Sequence, residues 1–164
     1  MRTRLALLLP VAFSVSMVFA QNPSQTPGEA SDKIETPHLT VTTSVGPAAQ
    51  GMRRSLFVDV TPKPKMHVYS PEQKDYIAIA LTLAPNPAVK PQPAVYPKPE
   101  KFFFEPLQET QLVYSKPFRI VQEVALGKRP DGPFTLKGTL RYQACDDKVC
   151  YLPKELTLTW TILN

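Results

Sequence analysis

Period-two alternation of apolar and polar residues in several stretches, the lack of any long stretch with a helical apolar period of about 3.6 residues, and nineteen prolines together predict an all-β fold. The architecture expected is an immunoglobulin-like antiparallel β-sandwich with a long Pro-rich cap loop.

From the N-terminus, residues 1–20 begin with Arg2 and Arg4, run apolar to Phe19, and end on Val18-Phe19-Ala20 before Gln21. A basic start, an apolar middle and small or β-branched residues at the third and first positions before the cut describe a secretory signal peptide removed after Ala20. Pro10, Ser14 and Ser16 interrupt the apolar run, so an uncut anchor is the weaker reading. The exported chain then meets an oxidising compartment, where paired cysteines normally form a disulfide. Residues 21–37 are rich in Ser, Thr, Pro, Gln and Glu with little to bury, and read as a flexible leader. Residues 38–164 have the size of one domain.

Strands are expected over 39–44, 55–61, 77–83, 118–126, 135–143 and 156–163. In the fourth, Phe118, Ile120, Val124 and Leu126 share a face opposite Arg119 and Glu123. In the last, Leu156, Leu158, Trp160 and Ile162 alternate with Thr157, Thr159 and Thr161. One buried and one wetted face produce this pattern.

Residues 83–113 do not read as sandwich strand. Pro85, Pro87, Pro91, Pro93, Pro97, Pro99 and Pro106 remove backbone donors that a central strand needs. A connection this long is often a functional loop. It contains EKFFFEP, and Phe102, Phe103 and Phe104 cannot all face one core if the backbone is extended. They either pack onto the sandwich edge or form a hydrophobic flap over a reactive site.

The net charge of +5 is scattered among prolines and strand residues, without the clustered basic face of a nucleic-acid binder. Chemistry concentrates instead in YQACDDKVCYLP, whose Cys145 and Cys150 are the only two cysteines, with four residues between them. A disulfide there closes a loop of about six residues and stabilises by only about 2 kcal/mol in the chain-entropy treatment. That favours a pair kept for redox chemistry over a structural hairpin staple, and both readings stay open at this point. Asp146 and Asp147 disfavour a neighbouring thiolate, whereas Lys148 favours one. The motif is neither a thioredoxin CxxC nor a haem-attaching CxxCH. Met66, His67 and the cysteines could suit copper(I), but His67 and His38 lie far away in sequence, and a strand-end histidine is more often a solvated or hydrogen-bonded surface group. No metal and no cofactor are expected.

The stretch LRYQACDDKVCYLPKELTLTW resembles the N-terminal periplasmic domain of the thiol:disulfide interchange protein DsbD, and HVYSPEQ and EKFFFEP are similar to that family's aromatic strand end and cap loop. The resemblance spans about residue 39 to the C-terminus. It implies an immunoglobulin-like domain in the periplasm that passes electrons from a thioredoxin-like or membrane donor to a periplasmic disulfide isomerase or a cytochrome c maturation thioredoxin. It further implies that Cys150 forms mixed disulfides, that Cys145 resolves them, that Phe102, Phe103 and Phe104 form the cap with Phe103 foremost, and that Tyr69 lines the site. A monomer is expected. The family's long members continue into a membrane domain and a thioredoxin-like domain, whereas this sequence ends at Asn164, so its donor is expected to be a separate protein. The four-residue cysteine spacing is also shorter than in the best-known enterobacterial form. A non-catalytic exported binding module with a structural disulfide is the alternative, and a copper-handling module a third.

Overall fold

The computed structural model describes residues 32–47, 52–127 and 131–163. The signal peptide expected at 1–20 lies outside the described residues, as does most of the leader. Among the described residues the strands are, in order, β1 Lys33–Glu35, β2 Leu39–Val45, β3 Arg53–Pro62, β4 His67–Tyr69, β5 Ala80–Leu83, β6 Val89–Pro91, β7 Glu100–Phe104, β8 Glu109–Tyr114, β9 Phe118–Leu126, β10 Phe134–Tyr142, β11 Ala144–Cys145 and β12 Lys154–Ile162. The fold is all-β and sandwich-like, as expected. All the strand pairs are antiparallel.

One layer is the sheet β1-β2-β3-β9-β6, and the facing layer is β12-β10-β5. Each contributes the apolar face that its alternation marks out: Ile120, Val124 and Leu126 from β9 meet Leu158, Trp160 and Ile162 from β12 in one buried cluster. Two polar contacts tie the layers. The Trp160 indole N–H donates to the Phe57 carbonyl at 3.0 Å, and the Thr43 hydroxyl donates to the Thr159 carbonyl at 2.8 Å. Buried indoles and hydroxyls need such partners, so these bonds also orient the layers. Close packing leaves no room beside Gly138 in β10, where an added Cβ would lie 2.9 Å from the Thr82 carbonyl oxygen and 3.0 Å from Trp160 Cζ3.

The expected leader ends earlier than Pro37. Lys33, Ile34 and Glu35 pair with Thr42, Val41 and Thr40, because Ile34 has the neighbouring apolar edge to pack on. The expected strand over 77–83 shortens to β5, since the Ile79 amide bonds the Tyr69 carbonyl at 2.9 Å and the chain changes sheets there. The Pro-rich stretch contains β6, β7 and most of β8, which the sequence reading assigned to a loop. Its prolines take positions where no ladder donor is required, and the amides between them bond β9: Gln92 N–H to the Glu123 carbonyl at 2.8 Å, and Val95 with Val121 in both directions. Tyr114 donates from its hydroxyl to the Pro97 carbonyl at 2.7 Å and pins the approach to β7.

A third sheet, β11-β4-β8-β7, holds everything of chemical interest. It is reached through Gln143, where the chain leaves β10 and re-pairs as β11 with β4. The Gln143 side-chain amide donates to the Tyr151 carbonyl at 2.9 Å, and the Tyr151 amide bonds the Ala144 carbonyl at 2.8 Å, fixing both arms of the hairpin that follows.

Candidate functional site

Cys145 and Cys150 are joined in a disulfide, with their Cα atoms 4.0 Å apart. Main-chain bonds flank the pair on both sides, from Asp146 N–H to the Val149 carbonyl and from Tyr151 N–H to the Ala144 carbonyl. The cysteines therefore face one another as a non-hydrogen-bonded antiparallel pair, the position at which two strands approach most closely. The hairpin tip is built by Asp146, whose carboxylate Oδ1 accepts from the amides of Lys148 and Val149, both at 2.8 Å. Its Oδ2 accepts from the Tyr151 hydroxyl at 2.8 Å, and the His38 ring stacks on Tyr151 with centroids 4.3 Å apart. The Val149 and Lys148 amides, with Tyr151, hold the Asp146 carboxyl below the usual carboxylate range. Its charge is thus engaged in the turn.

The two sulfurs have unequal surroundings. Cys145 is 1% exposed and packs with Tyr69 and Val113, whereas Cys150 is exposed. The Tyr69 hydroxyl approaches Cys150 Sγ at 3.5 Å, and since a disulfide sulfur has no proton, tyrosine is the donor. Burial, reinforced by Tyr76 and Glu109, pushes the Tyr69 phenol up to about 12, which keeps it protonated for this role. Behind it, Tyr76 stacks on Tyr69 at 4.4 Å and donates to Glu109, which also accepts from the Gln111 amide at 2.7 Å. These bonds lock the aromatic wall to β8.

β7 and the 3-10 turn Glu105–Leu107 supply the opposite wall. Alternation along β7 decides which phenylalanines reach the sulfurs. Phe102 packs on the Tyr69–Cys145 cluster, and Phe104 lines a groove of about 210 Å³ together with Leu107, Tyr69 and both cysteines. Phe103, the foremost cap residue expected, is 54% exposed and stands on the other face of the strand. The geometric reason is the two-residue side-chain period: of three consecutive residues, only the outer two share a face.

His67 is the residue that the sequence reading placed elsewhere. Expected at the surface, it is 5% exposed and directly opposite Cys145 in the β4–β11 register. Its ring touches those of Tyr69 and Phe102, with centroids at 5.8 and 5.0 Å, and its Nε2 has no hydrogen-bond partner. Burial lowers its pKa, and Asp146 partly opposes that. The same two-residue spacing that puts His67 beside Tyr69 in HVY was the available signal. Tyr76, Gln111 and Leu107 were also missed, and nothing local in the sequence marks them. Among the described residues, no three or more His, Cys, Asp or Glu side chains are arranged to hold a metal ion.

Phe103, Leu107, Val149 and Leu152 are all more than half exposed, and all four lie on β7, the turn after it, or the cysteine hairpin and its exit. They are four of the seven large exposed apolar residues described, so this end of the molecule concentrates its uncovered apolar surface.

Residues 36–161 match the family described as thiol:disulfide interchange protein DsbD, N-terminal. Among solved structures, the N-terminal periplasmic domain of ScsB from Proteus mirabilis aligns with a TM-score of 0.58 at 16% identity, over 80% of this chain and 51% of that one. The chain thus spans about half the length of that relative. The reduced N-terminal domain of Neisseria meningitidis DsbD aligns with a TM-score of 0.49 at 18% identity, covering 76% and 86% of the two chains. A structure of the complex between the DsbD and PilB N-terminal domains of Neisseria meningitidis gives 0.45 at 19% identity, covering 64% and 73%. A comparison with curated protein sequences finds no match.

Proposed function

The chain belongs to the family of N-terminal domains of the thiol:disulfide interchange protein DsbD, and on that premise we propose that it is an exported, periplasmic thiol–disulfide exchange module. Electrons pass through Cys145 and Cys150, from a thioredoxin-like or membrane donor to acceptors such as a periplasmic disulfide isomerase or a cytochrome c maturation thioredoxin. The observation that carries this reading is the asymmetry of the pair: one cysteine is exposed on the hairpin beside exposed apolar side chains, the other is buried.

In the loading direction, a donor thiolate attacks Cys150 Sγ. The Cys145–Cys150 bond breaks, its electron pair goes to Cys145 Sγ, and a mixed disulfide forms with the donor. The donor's second thiolate then attacks its own sulfur in that bond, leaving Cys150 as thiolate. Delivery runs in reverse: Cys150 attacks the acceptor disulfide, and Cys145 resolves the mixed bond. Burial favours Cys145 as the resolving group, because an external disulfide cannot reach it. The Tyr69 hydroxyl, already aimed at Cys150, stabilises negative charge as it develops on that sulfur. Phe104 and Leu107 restrict the groove, so a partner must supply a surface that displaces or covers them. The exposed Val149 and Leu152 offer that partner apolar area beside the reacting sulfur.

A Cys145→Ser variant tests the proposal by trapping. Incubated with periplasmic extract, it should accumulate reducible mixed disulfides through Cys150, and Cys150→Ser should accumulate none. The reduction potential supplies an independent check, since a structural disulfide lies below about −300 mV and an exchange centre above it. No trapped species together with a potential below that mark would defeat the reading.

A further inference from the structure

A thiolate on Cys145 creates an electrostatic problem that the disulfide does not have. Cys145 is 1% exposed and packs among Tyr69, Val113 and Phe102, where an unpaired negative charge is strongly disfavoured. Each cycle of exchange nevertheless places an electron pair there. One neighbour is both basic and idle. His67 faces Cys145 across the β4–β11 ladder, lines the same groove, and carries a buried Nε2 without any hydrogen-bond partner. Directly opposed residues on one face of an antiparallel pair have Cβ atoms about 5 Å apart, within reach of an imidazole and a thiol. A buried polar atom left unpaired in the disulfide state is accounted for if its partner appears only on reduction.

We propose that His67 is the proton acceptor and donor for the Cys145 sulfur. This rests on the exchange function proposed above and assigns that function one more residue. When the disulfide is opened by attack at Cys150, the electron pair arrives on Cys145 Sγ and the imidazole takes up one proton from solvent. The result is a thiolate–imidazolium pair or, once the proton moves across, a neutral thiol beside a neutral imidazole. In the resolving direction, His67 removes the Cys145 proton, the thiolate attacks the Cys150 sulfur of the mixed disulfide, the partner leaves as thiolate, and the proton returns to solvent. A route for that proton exists. His67 also lines an adjoining open groove with Lys65, Ser115, Lys116 and Asp147.

The charged and titratable groups around His67 come from each element packed on it. They are Asp146, Asp147 and Lys148 on the hairpin, Lys65 ahead of β4, Lys116 after β8, and Tyr69 and Tyr76 in the wall. Asp146 is the one that favours the charged imidazole, while burial keeps the ring neutral as long as the sulfur is uncharged. A new negative charge at Cys145 reverses that balance.

The experiment needs no partner protein. In a Cys150→Ser chain, Cys145 is the sole thiol, and its ionisation is followed by thiolate absorbance at 240 nm between pH 4 and 11, with His67 and with His67→Gln. The expected result is a thiolate that forms at least one pH unit lower when His67 is present, about tenfold more thiolate at neutral pH. In the unsubstituted chain, the His67 ring resonances should titrate at higher pH after reduction than before it, a reading that does not depend on any variant folding. Coincident thiolate curves, or a ring titration unchanged by reduction, would overturn the assignment. Exchange of the unsubstituted chain with dithiothreitol is measured alongside. Absent exchange there counts against the proposed function, whereas absent His67 linkage with normal exchange counts against His67 alone.

Discussion

Reduction of the Cys145–Cys150 bond should leave the domain folded and only slightly less stable. The disulfide joins residues five apart, a closed loop of about six, for which the chain-entropy treatment gives about 2 kcal/mol. The native hairpin does not depend on it, because main-chain bonds on both sides of the pair and the Asp146 carboxylate hold the tip by themselves. Against this, twenty buried residues form the sandwich cluster, and burying each large apolar side chain is worth about 1.5–3 kcal/mol before entropy is subtracted. Urea unfolding of oxidised and phosphine-reduced protein, followed by the single tryptophan, Trp160, should therefore differ by about 2 kcal/mol. At about 4 °C per kcal/mol for a domain of this size, the melting temperature should fall by about 8 °C. A reduced chain that is unfolded at 25 °C, or a loss above about 5 kcal/mol, would refute the reasoning. The pair would then be a staple, and a carrier cannot cycle through a state in which it does not fold.

Further outcomes concern the cap, the core and pH. Phe104→Ala should speed reduction of the disulfide by dithiothreitol about fivefold, the equivalent of about 1 kcal/mol of lost shielding, while Phe103→Ala leaves it within about twofold; equal rates for the two variants would contradict the alternation along β7. Gly138→Ala should cost about 1–3 kcal/mol in denaturant unfolding, because the Thr82 carbonyl that the new methyl meets is backbone and cannot turn aside. Burial raises Tyr69 and Tyr114 to about 12, so the stability they lend is complete below pH of about 10 and disappears as pH rises from there to about 12. Absorbance of tyrosinate at 295 nm should rise together with loss of structure, and full ionisation near pH 10 in a folded chain would speak against it. Burial lowers His38 and His67, so the stability tied to their neutral forms is present above about 6.5 and is lost as pH falls below it. A urea midpoint that is flat between pH 7 and pH 5 in oxidised protein would exclude this.

The sandwich strands were legible because burial on one face imposes the two-residue period directly on residues such as Leu156, Leu158, Trp160 and Ile162. The short strands were not, because β4 and β11 are buried throughout, and a three- or two-residue run shows no period. Pro97, Pro99 and Pro106 concealed β7 for a different reason: proline is read as a strand breaker, and here it brackets a strand rather than interrupting it. The sequence singled out both cysteines, and Tyr69 through resemblance, and the structure brings the three side by side. The place of His67 beside Cys145 was not legible, since it comes from a cross-strand register with a residue 78 positions away, and no local pattern encodes that pairing. The choice among Phe102, Phe103 and Phe104 likewise required the strand's phase, which is set by β8 across the ladder.

The prolines that bracket β7 and end β6 have one more consequence. Each strand is the last of its sheet, and an edge strand is where another chain can add to the ladder. Such an edge invites a second copy of the chain to continue the sheet, most dangerously beside three consecutive phenylalanines. Pro91 at the end of β6, Pro97 and Pro99 ahead of β7 and Pro106 just past it shorten the edges on offer, and Lys101 adds a charge in the middle of one. The exposed apolar residues around the disulfide thus sit beside sheet edges that are short and interrupted, which limits how far a second copy could extend either sheet.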